Sequence, residues 1–205
     1  MHRFAVVLLA LACLLRAAPS PAQTRLATPG GSFTISLPSG FVTIPPLELY
    51  LFEHRGLSGP VPPEALAEFR KTRMGFQAPA EKWFTLPYLI VSVETGRKRG
   101  PQDLFMESVM AERDSESQSS GEGHRFLEKD HQPLKRMTYY KDVAYSAAHG
   151  RKVAMGSYTW LTSQGFIRVA WFAPEDQLRA WEPQLHQAAM SVVLSPELEY
   201  RPEGR

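Results

Sequence analysis

The chain is poor in cysteine. Its 205 residues hold one, Cys13, inside an apolar N-terminal stretch. Beyond that stretch no disulfide, thiol nucleophile or thiolate metal ligand is available. Long hydrophobic runs are scarce as well. The apolar run 4–15 is too short to span a bilayer as a helix. No excess of one charge is present. Removing residues 1–22 takes two of the 23 basic side chains, Arg3 and Arg16, and none of the 21 acidic ones, so the remainder is balanced. A nucleic-acid binder needs a basic excess or stripe, and no nucleic acid is expected as a partner.

Catalytic signatures are missing too. There is no G-x-S-x-G and no H-E-x-x-H, which removes the usual frames for a serine hydrolase or a zinc peptidase. His54, His124, His131, His149 and His186 form no H-x-H or H-x-x-x-H pair. Convergence of Asp130 and His131 with His124 across a loop is the only metal candidate, and solvated loop groups are the preferred reading. Ser39 and Ser163 sit beside glycines, as turn residues do. Carboxylate pairs involving Glu94 or Asp142 depend on distances a sequence does not carry. No enzyme activity, cofactor or metal is expected.

What is present begins with an export signal. Met1-His2-Arg3 is a basic start, the apolar run follows, and Ser20-Pro21-Ala22 supplies small residues where a signal peptidase reads. Cleavage after Ala22 is expected, with release to a periplasmic or extracellular space. An uncleaved anchor and a lipoprotein signal ending at Cys13 are the alternatives. The organisation that follows is a flexible lead-in over 23–31, one α+β domain over 32–195 and a polar tail over 196–205.

The domain is organised around 153–173, VAMGSYTWLTSQGFIRVAWFA. Two β-rich runs flank Thr162-Ser163-Gln164-Gly165. A type I turn with Gly165 in the left-handed position closes them as a hairpin. That register sets Thr162 opposite Phe166 and Trp160 opposite Arg168. Both faces carry large apolar groups, so the hairpin is expected inside a sheet. One face would then gather Tyr158, Trp160, Phe166 and Arg168 into an aromatic groove for a ligand or peptide. The competing reading is that the arginine stem covers the tryptophan.

Further strands are expected over 32–37, 41–44, 83–94 and 134–148, with a short strand at 47–52. Helices are expected over 63–74 and 101–113, each opened by proline, and over 174–194 in two pieces broken at Pro183. The run 114–123, DSESQSSGEG, reads as a disordered loop. Arg97-Lys98-Arg99 is a small basic patch that would touch an anionic surface or simply stay solvated.

Phe33-Thr34-Ile35-Ser36-Leu37-Pro38-Ser39-Gly40-Phe41 resembles the opening of the PsbP-like superfamily, which includes PsbP, the bacterial DcrB proteins and the Ran-binding Mog proteins. Those chains often begin F-x-I-x-x-P-x-x-W, and Phe41 stands here at the tryptophan position. The end is similar too: a hairpin, then Trp181-Glu182-Pro183-Gln184-Leu185 and an apolar run after Ser191. The resemblance implies an α/β/α sandwich, a single antiparallel sheet with helices packed on its faces. It also implies a binding or assembly factor with no catalytic motif to carry over. The resulting expectation is an exported, monomeric, non-enzymatic protein that binds a protein or surface partner. A small-ligand carrier using the Trp160 and Arg168 face is the alternative, and an enzyme with a carboxylate or histidine site the second alternative.

Overall fold

The structure, a computed structural model, describes residues 22–56, 59–97, 99–118 and 124–202. Its centre is the hairpin β8 (Arg151–Leu161) and β9 (Phe166–Pro174). The register is one residue away from the expected one. Leu161 faces Phe166, Trp160 faces Ile167 and Thr159 faces Arg168. The cause lies in the loop. The Thr162 hydroxyl accepts from the Gly165 amide at 3.1 Å and the Gln164 amide at 3.2 Å, and the Thr162 amide donates to the Gly165 carbonyl at 2.9 Å. Thr162 to Gly165 thus form a closed four-residue loop. Gly165 has φ 150°, and a Cβ there would stand 2.3 Å from the Glu94 carbonyl oxygen. A slip of one residue exchanges the faces of one strand relative to the other.

The hairpin lies inside a seven-stranded antiparallel sheet, as expected, in the order β3-β4-β5-β9-β8-β7-β6. The other strands are β3 (Val42–Ile44), β4 (Arg73–Gln77), β5 (Tyr88–Glu94), β6 (Arg125–Gln132) and β7 (Met137–Ser146). A second sheet holds β1 (Ala22–Thr28), β2 (Gly31–Leu37) and β10 (Val193–Leu194). There are therefore two sheets, not one. The expected lead-in is largely strand: each residue of β1 pairs with one of β2, from Ala22 with Leu37 to Thr28 with Gly31. The alternation of β2 works as read, with Phe33, Ile35 and Leu37 buried.

The helices are α1 (Pro46–Glu53), α2 (Pro63–Thr72), α3 (Pro101–Gln118) and α4 (Leu178–Met190). The expected strand at 47–52 is helix α1. Pro46 opens it at a position where a missing N–H costs nothing, and Leu49 fills the space beside Gly75. Helix α3 runs past 113 into the polar run, whose residues 119–123 lie outside the described residues. Helix α4 continues through Pro183, which forfeits the bond to the Arg179 carbonyl. Leu185, Ala188 and Ala189 bury its inner face. The tail is not free either: Leu198 is buried, its carbonyl accepts from the Ser163 amide at 2.9 Å, and Glu199 bridges to Thr162.

The main core lies between the two sheets and α4, with Ile35, Val91, Tyr158, Val169, Trp171 and Leu185 at its centre. On the outer face of the large sheet, α1 and α2 cover Tyr88 and Ile90, while Leu104 of α3 covers Leu161 and Phe166. The result is the expected α+β arrangement of antiparallel sheet with helices on its faces.

Candidate functional site

The four residues expected to share a groove are divided by the register. Tyr158 and Trp160 stand on the inner face, Phe166 and Arg168 on the outer. Tyr158 is buried, stacked on Tyr139 at 5.1 Å, with its hydroxyl 2.7 Å from His186 Nδ1. Burial pushes its phenol up to about 12. Phe166 is sealed under Leu104, with the Arg99 guanidinium 5.5 Å from its ring centre. Arg168 donates to Thr159 Oγ1 at 3.3 Å and to Glu107 Oε2 at 2.6 Å. The Trp160–Arg168 contact does not form.

The basic run is divided as well. Arg97 is exposed, and Lys98 lies outside the described residues. Arg99 is turned inward onto Glu94 at 2.6 Å, and that bond holds its guanidinium above the ordinary range. The histidines scatter. His124 Nε2 lies 3.1 Å from Asp142 Oδ2, His131 packs edge-on against Phe105, and His149 sits between Ser146 and the Phe84 carbonyl. Among the described residues no three potential ligands converge on a metal position.

Lys141 makes the most saturated polar cluster. Its Nζ lies 2.5 Å from Glu128 Oε2 and 2.5 Å from Glu182 Oε1, and the Tyr139 hydroxyl donates to Glu128 Oε1 at 2.6 Å. The bond from Lys141, then that from Tyr139, holds the Glu128 carboxyl below its usual range. This cluster ties α4 to β6 and β7. Each charged group in it has a partner, Lys141 serving both carboxylates, so it fixes position.

Trp160 borders a different feature. A cavity of about 410 Å³ opens at the end of the sandwich, lined by Met137, Trp160, Leu161, Met190, Leu194 and Tyr200. Its lip is built by the 3-10 turn Pro133–Lys135 that follows β6. Arg136 closes this turn in the left-handed conformation, φ 52°, donating its amide to the Pro133 carbonyl at 3.1 Å. Its guanidinium stands 5.1 Å from the Tyr200 ring centre and bonds the Tyr200 carbonyl. The turn presents Leu134 at 99% exposure beside Lys135. Val193, on the opposite wall, is 61% exposed. The product is a cup with a largely apolar floor and a rim that carries Lys135, Arg136 and Glu199. Pro133-Leu134-Lys135 is its one local signal, a leucine held on a turn; of the facing wall, Met190 to Leu194 come from the expected last helix and apolar run, while Glu199 and Tyr200 come from chain expected to be a tail.

No protein-family model matches the chain, and no curated protein matches it. Solved structures do. Cyanobacterial PsbP (CyanoP) from Synechocystis sp. PCC 6803 aligns with TM-score 0.51 and 11% identity over 88% of this chain and 96% of that one. The Ran-binding protein Mog1p of Saccharomyces cerevisiae aligns with TM-score 0.46 and 15% identity over 85% and 96%. LpqN of Mycobacterium tuberculosis, involved in cell envelope biogenesis, aligns with TM-score 0.47 and 12% identity over 91% and 97%. The chain has the PsbP-like fold, which the Phe33 to Phe41 resemblance implied.

Proposed function

We propose that the protein is an exported, non-enzymatic binding or assembly factor that holds a protein partner at the cup beside Trp160. The observation that carries this reading is Leu134, an apolar side chain fully exposed on a hydrogen-bonded turn at the mouth of a cavity with a largely apolar floor. Large apolar groups gathered at a concave surface mark contact sites. Interfaces of this kind are anchored by one side chain filling a desolvated pocket with polar groups around it. Here the partner inserts an apolar side chain against Trp160 and Met190, and Lys135 on the lip favours acidic neighbours in it. Export rests on the N-terminal basic start, apolar run and Ser20-Pro21-Ala22. No helix among the described residues is long and apolar enough to cross a membrane.

A small-ligand carrier is the second reading, favoured by the cavity volume of about 410 Å³, which falls within the range of small-molecule sites. One comparison separates the two. Affinity capture from the exported fraction with the wild-type protein and with Leu134→Asp should yield a protein that the variant loses while keeping its fold. Retention of that partner by the variant removes the cup from the account. Retrieval of a small molecule in place of a protein favours the carrier.

A further inference from the structure

We propose that the outer face of the seven-stranded sheet carries a binding site for a small oxyanion, a carboxylate or phosphate, between α2 and α3. It shares no lining residue with the cup beside Trp160. The ground for it is a row of polar residues in register. Arg73 pairs with Ser92, Ser92 with Arg168, Arg168 with Thr159, Thr159 with Thr138, and Thr138 with His131. Directly paired residues share a face, so the row crosses six strands on one side of the sheet. A sheet face packed under helices is ordinarily apolar. On this face the two buried apolar clusters lie under α1 and α2 and under Leu104, and the polar row runs between them.

Two recesses open along the row, and Arg168 borders both. One, of about 310 Å³, is lined by Thr72, Arg73, Ser92, Thr95 and Arg168, with the Glu94 carboxylate at its edge held by Arg99 at 2.6 Å. The second, of about 200 Å³, includes Glu107, Thr138, Tyr140, Thr159 and Arg168. Arg73 and Arg168 sit on either side of Ser92, two strand spacings or about 10 Å apart at the backbone. Arg168 reaches toward the Ser92 hydroxyl from one side, and Arg73, whose guanidinium donates to the Thr72 carbonyl at 3.0 Å and lies 3.4 Å from Glu53, borders the same recess from the other.

The guanidinium of Arg168 is already oriented. Its Nε is held by Thr159 and one terminal nitrogen by Glu107. Among the described residues its other terminal nitrogen has no bond to protein. Glu107 thus occupies one edge of a fork that recognises planar oxyanions through two parallel N–H bonds. A ligand takes the remaining edge, or displaces Glu107. The Arg168 side chain is 41% exposed, so a solute reaches it, while Thr159 and Thr138 beneath are only 4% exposed. Glu53 and Glu107 pair with the two arginines, and Glu94 pairs with Arg99, so the site suits one oxyanion head better than a polyanion.

The test is an NMR titration of the purified, isotope-labelled protein with inorganic phosphate and, separately, with acetate, against chloride at equal ionic strength. Saturable shifts at the Ser92, Thr159 and Arg168 amides are expected with at least one of the two oxyanions, and which one identifies the head group. Arg168→Gln and Arg73→Gln should each weaken binding by about tenfold, the scale of a charge-assisted hydrogen bond, at unchanged melting temperature. Ser92→Ala, a milder change, covers the case in which an arginine variant does not fold, and should also weaken binding. Shifts that match those of chloride, that fail to saturate, or that persist undiminished in the variants overturn the proposal. Leu134→Asp should leave the titration untouched, so failure here and failure of the partner reading are separate results.

Discussion

Gly156 and Trp171 face each other across the central hairpin, and the indole occupies the space a side chain at 156 would need. A Cβ built on Gly156 would stand 2.3 Å from Cε2 of Trp171. Trp171 is fully buried at the middle of the main core and has no room to retreat. Gly156→Ala should therefore cost about 1–3 kcal/mol, the usual penalty of overpacking. Chemical denaturation of the two proteins measures it. A change within about 0.5 kcal/mol, typical of a neutral surface position, would mean that the pair does not pack this way.

The second prediction concerns the loop that sets the register. Thr162 is 3% exposed, and its hydroxyl accepts from the amides of Gln164 and Gly165. Thr162→Ala leaves those amides without that acceptor, at about 1–3 kcal/mol, whereas Thr162→Ser should restore most of the loss. Thermal unfolding of the three proteins gives the order. If serine is as poor as alanine, the hydroxyl is not what closes the loop.

This loop also marks where the sequence stopped being legible. The alternation of Phe33, Ile35 and Leu37 and the β-branched and aromatic runs of the hairpin identify their strands, because a half-buried strand writes its face into every second residue. Proline at 63 and at 101 marks two helix starts for a similarly local reason. The register of the hairpin is not local in that sense. A glycine at 165 fits several loops, and the choice among them rests on a side-chain hydroxyl bonding backbone amides. One residue of slip moved Arg168 away from Trp160 and dissolved the expected groove. Helix α1 was hidden because Leu47, Leu49 and Leu51 alternate like a strand. The cup was hidden because its walls come from segments distant in sequence, with Leu198 and Glu199 fastened to the hairpin loop by contacts that composition does not reveal.

That fastening supplies a third prediction. Leu198 is 1% exposed and its carbonyl holds the Ser163 amide. Removal of residues 196–205 should lower stability by about 2–3 kcal/mol, a buried leucine together with a hydrogen bond. A truncated protein that melts with the full chain would show that the segment is a loose tail.

A fourth prediction follows from Lys141. Its bond holds the Glu128 carboxyl below the ordinary 4.5. A depressed carboxylate adds stability that is complete above its unfolded value and is lost as pH falls through the folded one. Glu128 is about half exposed, so solvent screening keeps the effect under about 1 kcal/mol. The stability gap between wild type and Glu128→Gln should be present at pH 7 and should close as pH falls below the ordinary 4.5 and through the lowered folded value. A gap that stays constant to pH 3 would show that the pair does not act through charge.

The most direct measurement of the partner-binding reading is photocrosslinking in place. A benzophenone amino acid at position 134 reports on whatever lies against the lip of the cup, and the same group at Tyr145, exposed on β7, serves as control. The account predicts one discrete protein adduct from position 134 in the exported fraction, absent from position 145 and lost when Lys135→Glu reverses the charge of the lip. Identical labelling from both positions, or none from 134 in cells that export the protein, would contradict it.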